Sequence, residues 1–380
     1  MRKLSILGLL ALPLAVRAQA PATSATTPAA TPGFDFSGVL FANFQYRTDK
    51  GPAEGQNKFD LERAYLTFKM PAGDRGSIRV TGDVYQQTGS GSDAYYKGWV
   101  LRAKYAYFQY DYLKSTSFNA LARAGILHTV VIDHEEGFWP RFITNTAVER
   151  AGFFSSADVG VATQVSFPGK RGELYATITN GPGYASRETD RFKDYAARLS
   201  LTPFGASTSR FSRALTVSGW GYKGAVGSKF VSSGAGQIGP VGSGLVRDRA
   251  GVFVGVKDPR LVIGAEYATR KDGSESGANT VASPRVVTDS SGRLVDGFIV
   301  VRPLNFSNLK AKSPLGIVAR LDRFTPNSGS GGTLNFVVAG LIWDLTSRAS
   351  VSLDYQEQTP HSGLVAAATK TTFLHLVANF

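Results

Sequence analysis

Cysteine is absent from the 380 residues, and methionine occurs only twice. A chain without thiols can build no disulfide framework and carry no lipid-modified N-terminal cysteine, so its stability must come from the fold itself. Histidine is scarce too, at His128, His134, His361 and His375. A hydroxyl nucleophile needs a base in hydrogen-bond contact and a third group to orient that base, and no spacing here predicts such a set; the expectation is a chain that is not an enzyme. After the first twenty residues there is no run of about 18 apolar residues, which excludes a helical membrane span on hydropathy. Nor does any segment carry the 3.6-residue apolar period of an amphipathic helix. The formal net charge is +13, but the Lys and Arg are scattered rather than clustered, so nucleic acid is not an expected partner.

What is present begins with Arg2 and Lys3, an apolar stretch from Leu4 to Val16 and the small residues Ala18 and Ala20. Residues 1–18 therefore read as a secretory signal peptide. Cleavage after Ala18 removes Arg2, Lys3 and Arg17 and leaves a charge of +10. Residues 19–33, QAPATSATTPAATPG, hold Ala, Thr and Pro without charge or aromatic rings and read as a disordered periplasmic spacer.

From Phe34 to Phe380 one grammar repeats: a strand-like segment, a tight turn, another strand, then a longer Gly-, Ser- and Asp-rich loop. Strands are expected near 34–47, 58–70, 76–87, 98–112, 118–128, 158–167, 173–180, 194–202, 213–222, 249–257, 260–270, 295–303, 314–324, 333–345, 349–357 and 371–380. In the first, Phe36, Leu40, Ala42, Phe44 and Tyr46 oppose Asp35, Ser37, Asn43, Gln45 and Arg47; in the second, Ala64, Leu66, Phe68 and Met70 oppose Arg63, Tyr65, Thr67 and Lys69. Short turns such as PAGDR (71–75) and PGKRG (168–172) alternate with long connections at 129–157, 223–248 and 271–294. That asymmetry is the plan of an outer-membrane barrel, although a soluble β-sandwich would share the alternation. The aromatics Trp99, Tyr105, Tyr107, Tyr110, Tyr112, Trp220, Tyr222 and Trp343 lie near strand ends, as interface girdles do.

The ending KTTFLHLVANF keeps a period of two up to its last residue, which makes the terminus a strand. An open sheet in hydrocarbon would leave a row of backbone groups unpaired at several kcal/mol each, so this last strand must pair with the first. The expected fold class is all-β: a closed antiparallel transmembrane β-barrel of about 16 strands over residues 34–380.

The stretch KFDLERAYLTFKM (58–70), followed by a turn and SIRVTGDVYQQ (77–87), resembles a hairpin of the phosphate-selective porin O/P family. LARAGIL (121–127), VER (148–150), ADVGVATQVSF (157–167) and LYATITNGPG (174–183) follow in the family's order. The similarity is clearest over about residues 34–202, beyond which strand rhythm and the terminal phenylalanine carry it. It implies a sixteen-stranded, usually trimeric barrel of the Gram-negative outer membrane, set among lipid and lipopolysaccharide. It also implies a long third extracellular loop, here 129–157, folded into the lumen as a constriction. By motif, Arg63, Arg123, Gly125 and Arg150 fall on family positions, while Glu62 stands where a second Arg is common. Phe380 is then the aromatic signal read by the barrel-assembly machinery.

On the face opposite the apolar one lie Arg63, Lys69, Arg79, Arg102, Lys104, Arg123, Arg198 and Arg320, the expected pore-lining cations, with Asp83 and Asp322 in the same phase. A basic lumen favours passage of small anions of the phosphate type alongside neutral hydrophilic solutes. The constriction loop would contribute Asp133, His134, Glu135, Glu136, Arg141, Glu149 and Arg150. Its run DHEEGFWPR lacks the ligand spacing of a calcium loop, so its carboxylates are expected to form salt bridges to the basic wall; neither metal nor cofactor is expected. The alternative function is a surface-structural or adhesive barrel with a blocked lumen.

Overall fold

The computed structural model describes residues 33–87, 98–205, 207–227, 244–278, 280–284, 286–307, 313–361, 364 and 367–380. The expected signal peptide, the spacer up to residue 32 and most of the Gly-rich connection at 228–243 lie outside the described residues.

Period-two alternation becomes sixteen strands. They are β1 (Asp35–Arg47), β2 (Asn57–Pro71), β3 (Gly76–Gln86), β4 (Trp99–Lys114), β5 (Asn119–His128), β6 (Ala157–Ser166), β7 (Gly172–Thr179) and β8 (Asp194–Leu201), then β9 (Leu215–Val226), β10 (Leu245–Asp258), β11 (Leu261–Ser276), β12 (Val286–Val301), β13 (Leu315–Thr325), β14 (Thr333–Asp344), β15 (Ala349–His361) and β16 (Thr369–Asn379). Each pairs antiparallel with its neighbours in sequence, and β16 returns to β1, so the sheet is a closed barrel. β8 shows how the pattern sorts side chains: Asp194, Ala196, Arg198 and Ser200 are buried inside, while Tyr195, Leu199 and Leu201 stand exposed outside. The outer surface repeats this with Leu101, Phe108, Val161, Ile263, Leu321, Leu341 and Leu353, all exposed large apolar residues. Such an apolar belt has no stable home in water and suits hydrocarbon.

Closure runs from Val39 opposite Asn379 to Arg47 opposite Thr371. At its end the Gly38 N–H donates to the Phe380 carbonyl at 2.9 Å and the Phe380 N–H to the Gly38 carbonyl at 3.0 Å. The Phe380 ring lies over Gly38, where a Cβ would collide with it; only glycine leaves room for the terminal aromatic. Gly125, at φ +129°, is likewise required, since a Cβ there would strike the Ala106 carbonyl.

Among the described strands the register shifts at three places, and two of these shape the basic wall. Phe41 faces Arg63 and Ala42 faces Leu61, leaving Glu62 as an extra residue; Thr81 faces Tyr105 and Gly82 faces Ala103, leaving Lys104 extra. A bulge re-aims side chains, and the second lets the consecutive residues Lys104 and Tyr105 both become buried.

Three expectations about connections are corrected. The stretches 223–248 and 271–294 are not long loops throughout: β9 continues to Val226, β10 starts at Leu245, β11 runs to Ser276 and β12 starts at Val286. Polar and Gly-rich composition hid these extensions, because strands that stand beyond an apolar belt need no apolar face. The short-turn end also carries two longer connections, 202–214 and 302–314, holding the helical turns Arg210–Arg213 and Leu304–Ser307. Finally, the connection between β5 and β6 contains two further helical turns, α1 (Ile132–Glu136) and α2 (Ala147–Arg150), too short to show a period in sequence.

Candidate functional site

Residues 129–157 reach partners on many sides of the closed wall. The Arg198 guanidinium (β8) donates to the Val130 carbonyl, Arg320 (β13) to the Asn145 carbonyl at 2.6 Å and Gln356 (β15) to the Ile143 carbonyl at 3.0 Å. His134 meets the Ser218 hydroxyl (β9) at 2.8 Å, and Arg141 meets Glu62 (β2) at 3.1 Å. The segment thus contacts β2, β8, β9, β13 and β15 of the closed cylinder.

Apolar contact seats the segment, in one cluster against β10 and β12–β14 and in a second that runs from Tyr105 and Tyr107 of β4 to Leu294 of β12. Trp139 and Ile143 pack with Phe253, Phe298, Val318, Phe336, Val338 and Ile342, the inward residues of β10 and β12–β14. Val131, Ile132, Val148 and Phe153 pack with Trp220, Ala268 and Leu294. These inward apolar residues interrupt what would otherwise be a polar lining, and they mark where the segment docks.

The β2–β5 side of the wall is polar and basic. Asp83, with no exposed side-chain surface, accepts from Arg63 at 2.7 Å and from Arg102 at 3.0 Å. Lys104 donates to the Tyr65 hydroxyl at 3.0 Å, Arg123 to Gln109 at 3.0 Å, and Arg79 contacts His128 at 3.1 Å. Lys69 stands opposite Arg79 in register. Among the described residues, no carboxylate lies within ion-pair distance of Lys69, Arg79, Lys104 or Arg123. Tyrosines floor the row: Arg102 lies over Tyr85 and Tyr184 at 3.9 and 4.5 Å, Arg79 over Tyr105 at 4.7 Å, Arg123 over Tyr107 at 5.3 Å and the Lys104 ammonium over Tyr65 at 4.2 Å. Ring faces hold cations by electrostatic attraction without neutralising them.

All eight expected cations are on the inward face, but they divide into two sets. Arg198 and Arg320 donate to backbone carbonyls of the inner segment and act as its anchors, whereas Lys104, equally buried, binds the wall's own Tyr65. The other six form the β2–β5 row. The expected girdle divides as well: Trp99, Tyr110, Tyr112 and Trp343 are exposed, whereas Tyr105, Tyr107 and Trp220 are buried inside, with Tyr222 beside Trp220 in the inward phase of β9.

The expected salt bridges from loop carboxylates to wall cations are corrected too. The loop is tied down chiefly by its own arginines on wall carboxylates: Arg141 on Glu62, and Arg150 on Asp322 at 3.8 Å. Arg141 also faces Glu136 at 3.4 Å and Glu149 at 3.9 Å. Burial disfavours its charge, but Glu62, Glu149 and Glu136 outweigh that and hold Arg141 above the usual guanidinium range. Burial lowers Arg150 to about 10, with Asp322 opposing, and lowers His134 to about 3, so that imidazole is neutral. Burial raises Glu136 to about 7 against the pull of Lys104. Asp133 contacts His128 at 2.8 Å and accepts from the Tyr105 hydroxyl at 3.0 Å. Among the described residues no group of His, Asp or Glu is arranged to hold a metal ion.

A closed barrel of sixteen strands with an inner segment between β5 and β6 invites comparison with solved structures. An anion-selective porin from Comamonas acidovorans superposes with a TM-score of 0.60 at 7% identity, over 92% of this chain and 100% of that one. The trimer form of OmpT from Vibrio cholerae gives 0.57 at 11%, over 92% and 100%. OmpF of Salmonella typhi, in complex with daunomycin, gives 0.57 at 10%, over 92% and 98%. The fold is that of outer-membrane porins. No family model and no curated protein matches the sequence, so the likeness is one of fold. The porin barrel accounts for the outer belt, the closure and the segregated interior together.

Proposed function

We propose that this chain is an outer-membrane porin that lets small hydrophilic solutes diffuse passively, with a preference for anions. One observation carries the reading: the β2–β5 side of the wall holds six cations, of which Arg63 and Arg102 share Asp83 and the other four have no carboxylate within ion-pair distance among the described residues. Such a wall beside a low-dielectric barrel concentrates anions of the phosphate type along it. The segment 129–157 is then the constriction, and the long-connection end faces the exterior. Lipid and lipopolysaccharide would surround the outer belt, and three copies would assemble, as the Vibrio cholerae barrel does in its trimer form. A signal peptide at 1–18 would export the chain, and the barrel-assembly machinery would read Phe380. Diffusion needs no catalytic group, which agrees with a reading of the chain as a non-enzyme.

Planar bilayers test the proposal. Folded protein should give stepwise conductance, and its reversal potential in a salt gradient should carry the sign of anion preference. Replacing Arg79 and Arg123 together by Gln should move that potential towards zero. Absence of steps would favour the blocked adhesive barrel instead, while cation preference in the unmodified protein would overturn the selectivity.

A further inference from the structure

The inward residues of β11, β12 and β13 form one lateral row of acids: Glu266 stands directly opposite Asp296, and Asp296 directly opposite Asp322. Like charges so placed destabilise a sheet, and all three are buried. Into this row α1 delivers a fourth carboxyl, Glu135, which is 4% exposed and lies close enough to Glu266 and Asp296 for their charges to act on it. The charges facing the row come from β13 and α2. Arg320 grips Asp322 with two bonds of 2.7 and 2.6 Å, and Arg150 faces the same carboxylate. From β9, Trp220 donates to Glu266 Oε1 at 2.9 Å. What remains is a deficit of donors: Glu135 Oε1, Glu266 Oε2 and Asp296 Oδ1 are buried without a hydrogen-bond partner.

Buried carboxylates left without donors beside one another protonate rather than stay charged, and each proton so held supplies the donor that the neighbouring oxygen lacks. We propose that the inner segment is seated by protons held among Glu135, Glu266 and Asp296, so that its docking against β9–β13 weakens as the pH rises. The other titratable groups of α1 have different partners: Asp133 has His128 and Tyr105, His134 has Ser218, and Glu136 faces Arg141 and Lys104. His134 stays neutral down to about 3 and cannot sense the neutral range.

The sign follows from linkage. Burial, then Glu266 and Asp296, push Glu135 well above the ordinary carboxyl range, whereas an undocked Glu135 in water would titrate near about 4.3. Between those two values the docked form binds more protons. The docking constant is therefore largest at low pH and falls by up to about tenfold per pH unit for each proton released.

Amide hydrogen exchange on the folded barrel in lipid nanodiscs, corrected for intrinsic rates, reads docking directly. In the unmodified protein, protection of residues 130–154 should fall as the pH is raised beyond the ordinary carboxyl range, while strand amides keep theirs. Glu135→Gln, which keeps the shape and can donate as the acid does, should remove that fall, and Glu266→Gln is the second variant. Protection independent of pH in the unmodified protein, or an unchanged fall in a folded Gln variant, would overturn the proposal. If neither variant folds, the unmodified profile decides alone. This readout needs no conductance, so a barrel that never conducts would defeat the porin reading without touching this one.

Discussion

Asp83 is the residue on which the charge of the basic wall turns. It is fully covered, yet it serves two guanidiniums that are each about a quarter exposed, at 25% and 24%. Asp83→Asn should act in two directions. It should lower stability by about 2 kcal/mol, discounted from the cost of orphaning a fully buried partner because both arginines retain water. It should also raise anion preference, since Arg63 and Arg102 would then stand unneutralised. Denaturant midpoints and reversal potentials measure the two effects, and a fall in anion preference would show that the cluster is off the path. At this scale the sequence is a good guide to phase and a poor one to role. Alternation put Arg79 and Arg320 on the same face, but whether such a cation meets water or the underside of a segment depends on docking. The signal that could have separated them lies in their neighbours: Phe298, Val318, Phe336 and Val338 are apolar in the inward phase around Arg320, whereas Thr67 and Thr81 flank Arg79. The bulges at Glu62 and Lys104 leave no such mark, because one extra residue in a strand changes no composition.

Among elements, β16 was the most legible, because pairing with β1 is forced by the cost of an open edge. Its end is anchored by more than hydrogen bonds: the Phe380 ring sits 6.0 Å from that of Phe36, which is 5.0 Å from Phe68. Gly38→Leu should displace the Phe380 ring while leaving the terminus intact. Its expected phenotype matches deletion of Phe380: slower insertion in cells, followed over time by heat-modifiable mobility of the barrel, with little change in the unfolding of barrels already formed. Normal insertion of both variants would mean that the ring is not read during assembly. The inner segment was legible only in outline, as a long stretch between β5 and β6. Its two helical turns are shorter than any period can reveal, and its seating is set by long-range packing such as that of Trp139 on Phe298 and of Phe153 on Phe324.

For the whole molecule, the outward apolar belt is the largest commitment. Leu321 lies mid-strand in β13, opposite Gly297 and Val337, and is 57% exposed. If the belt meets hydrocarbon, Leu321→Arg should cost about 2–4 kcal/mol in unfolding from bilayers; in a barrel surrounded by water the same change would be close to neutral. Urea titration in lipid vesicles separates the two outcomes. Closure, strand number and direction are all legible in the sequence, since hydrocarbon leaves so few alternatives.

The division of the interior has a consequence for how such a protein can change over generations. Apolar residues on β9–β14 hold one side of the inner segment, while β2–β5 meets it through Glu62, Leu127, His128, Tyr105 and Tyr107 and carries its row of cations beside those contacts. On the proposed porin reading, substitutions in that row would alter which solutes are admitted while leaving most of the fold's contacts untouched. The row is therefore free to drift with the chemistry of the surroundings, and the residues that hold the segment are bound by their own architecture to stay as they are.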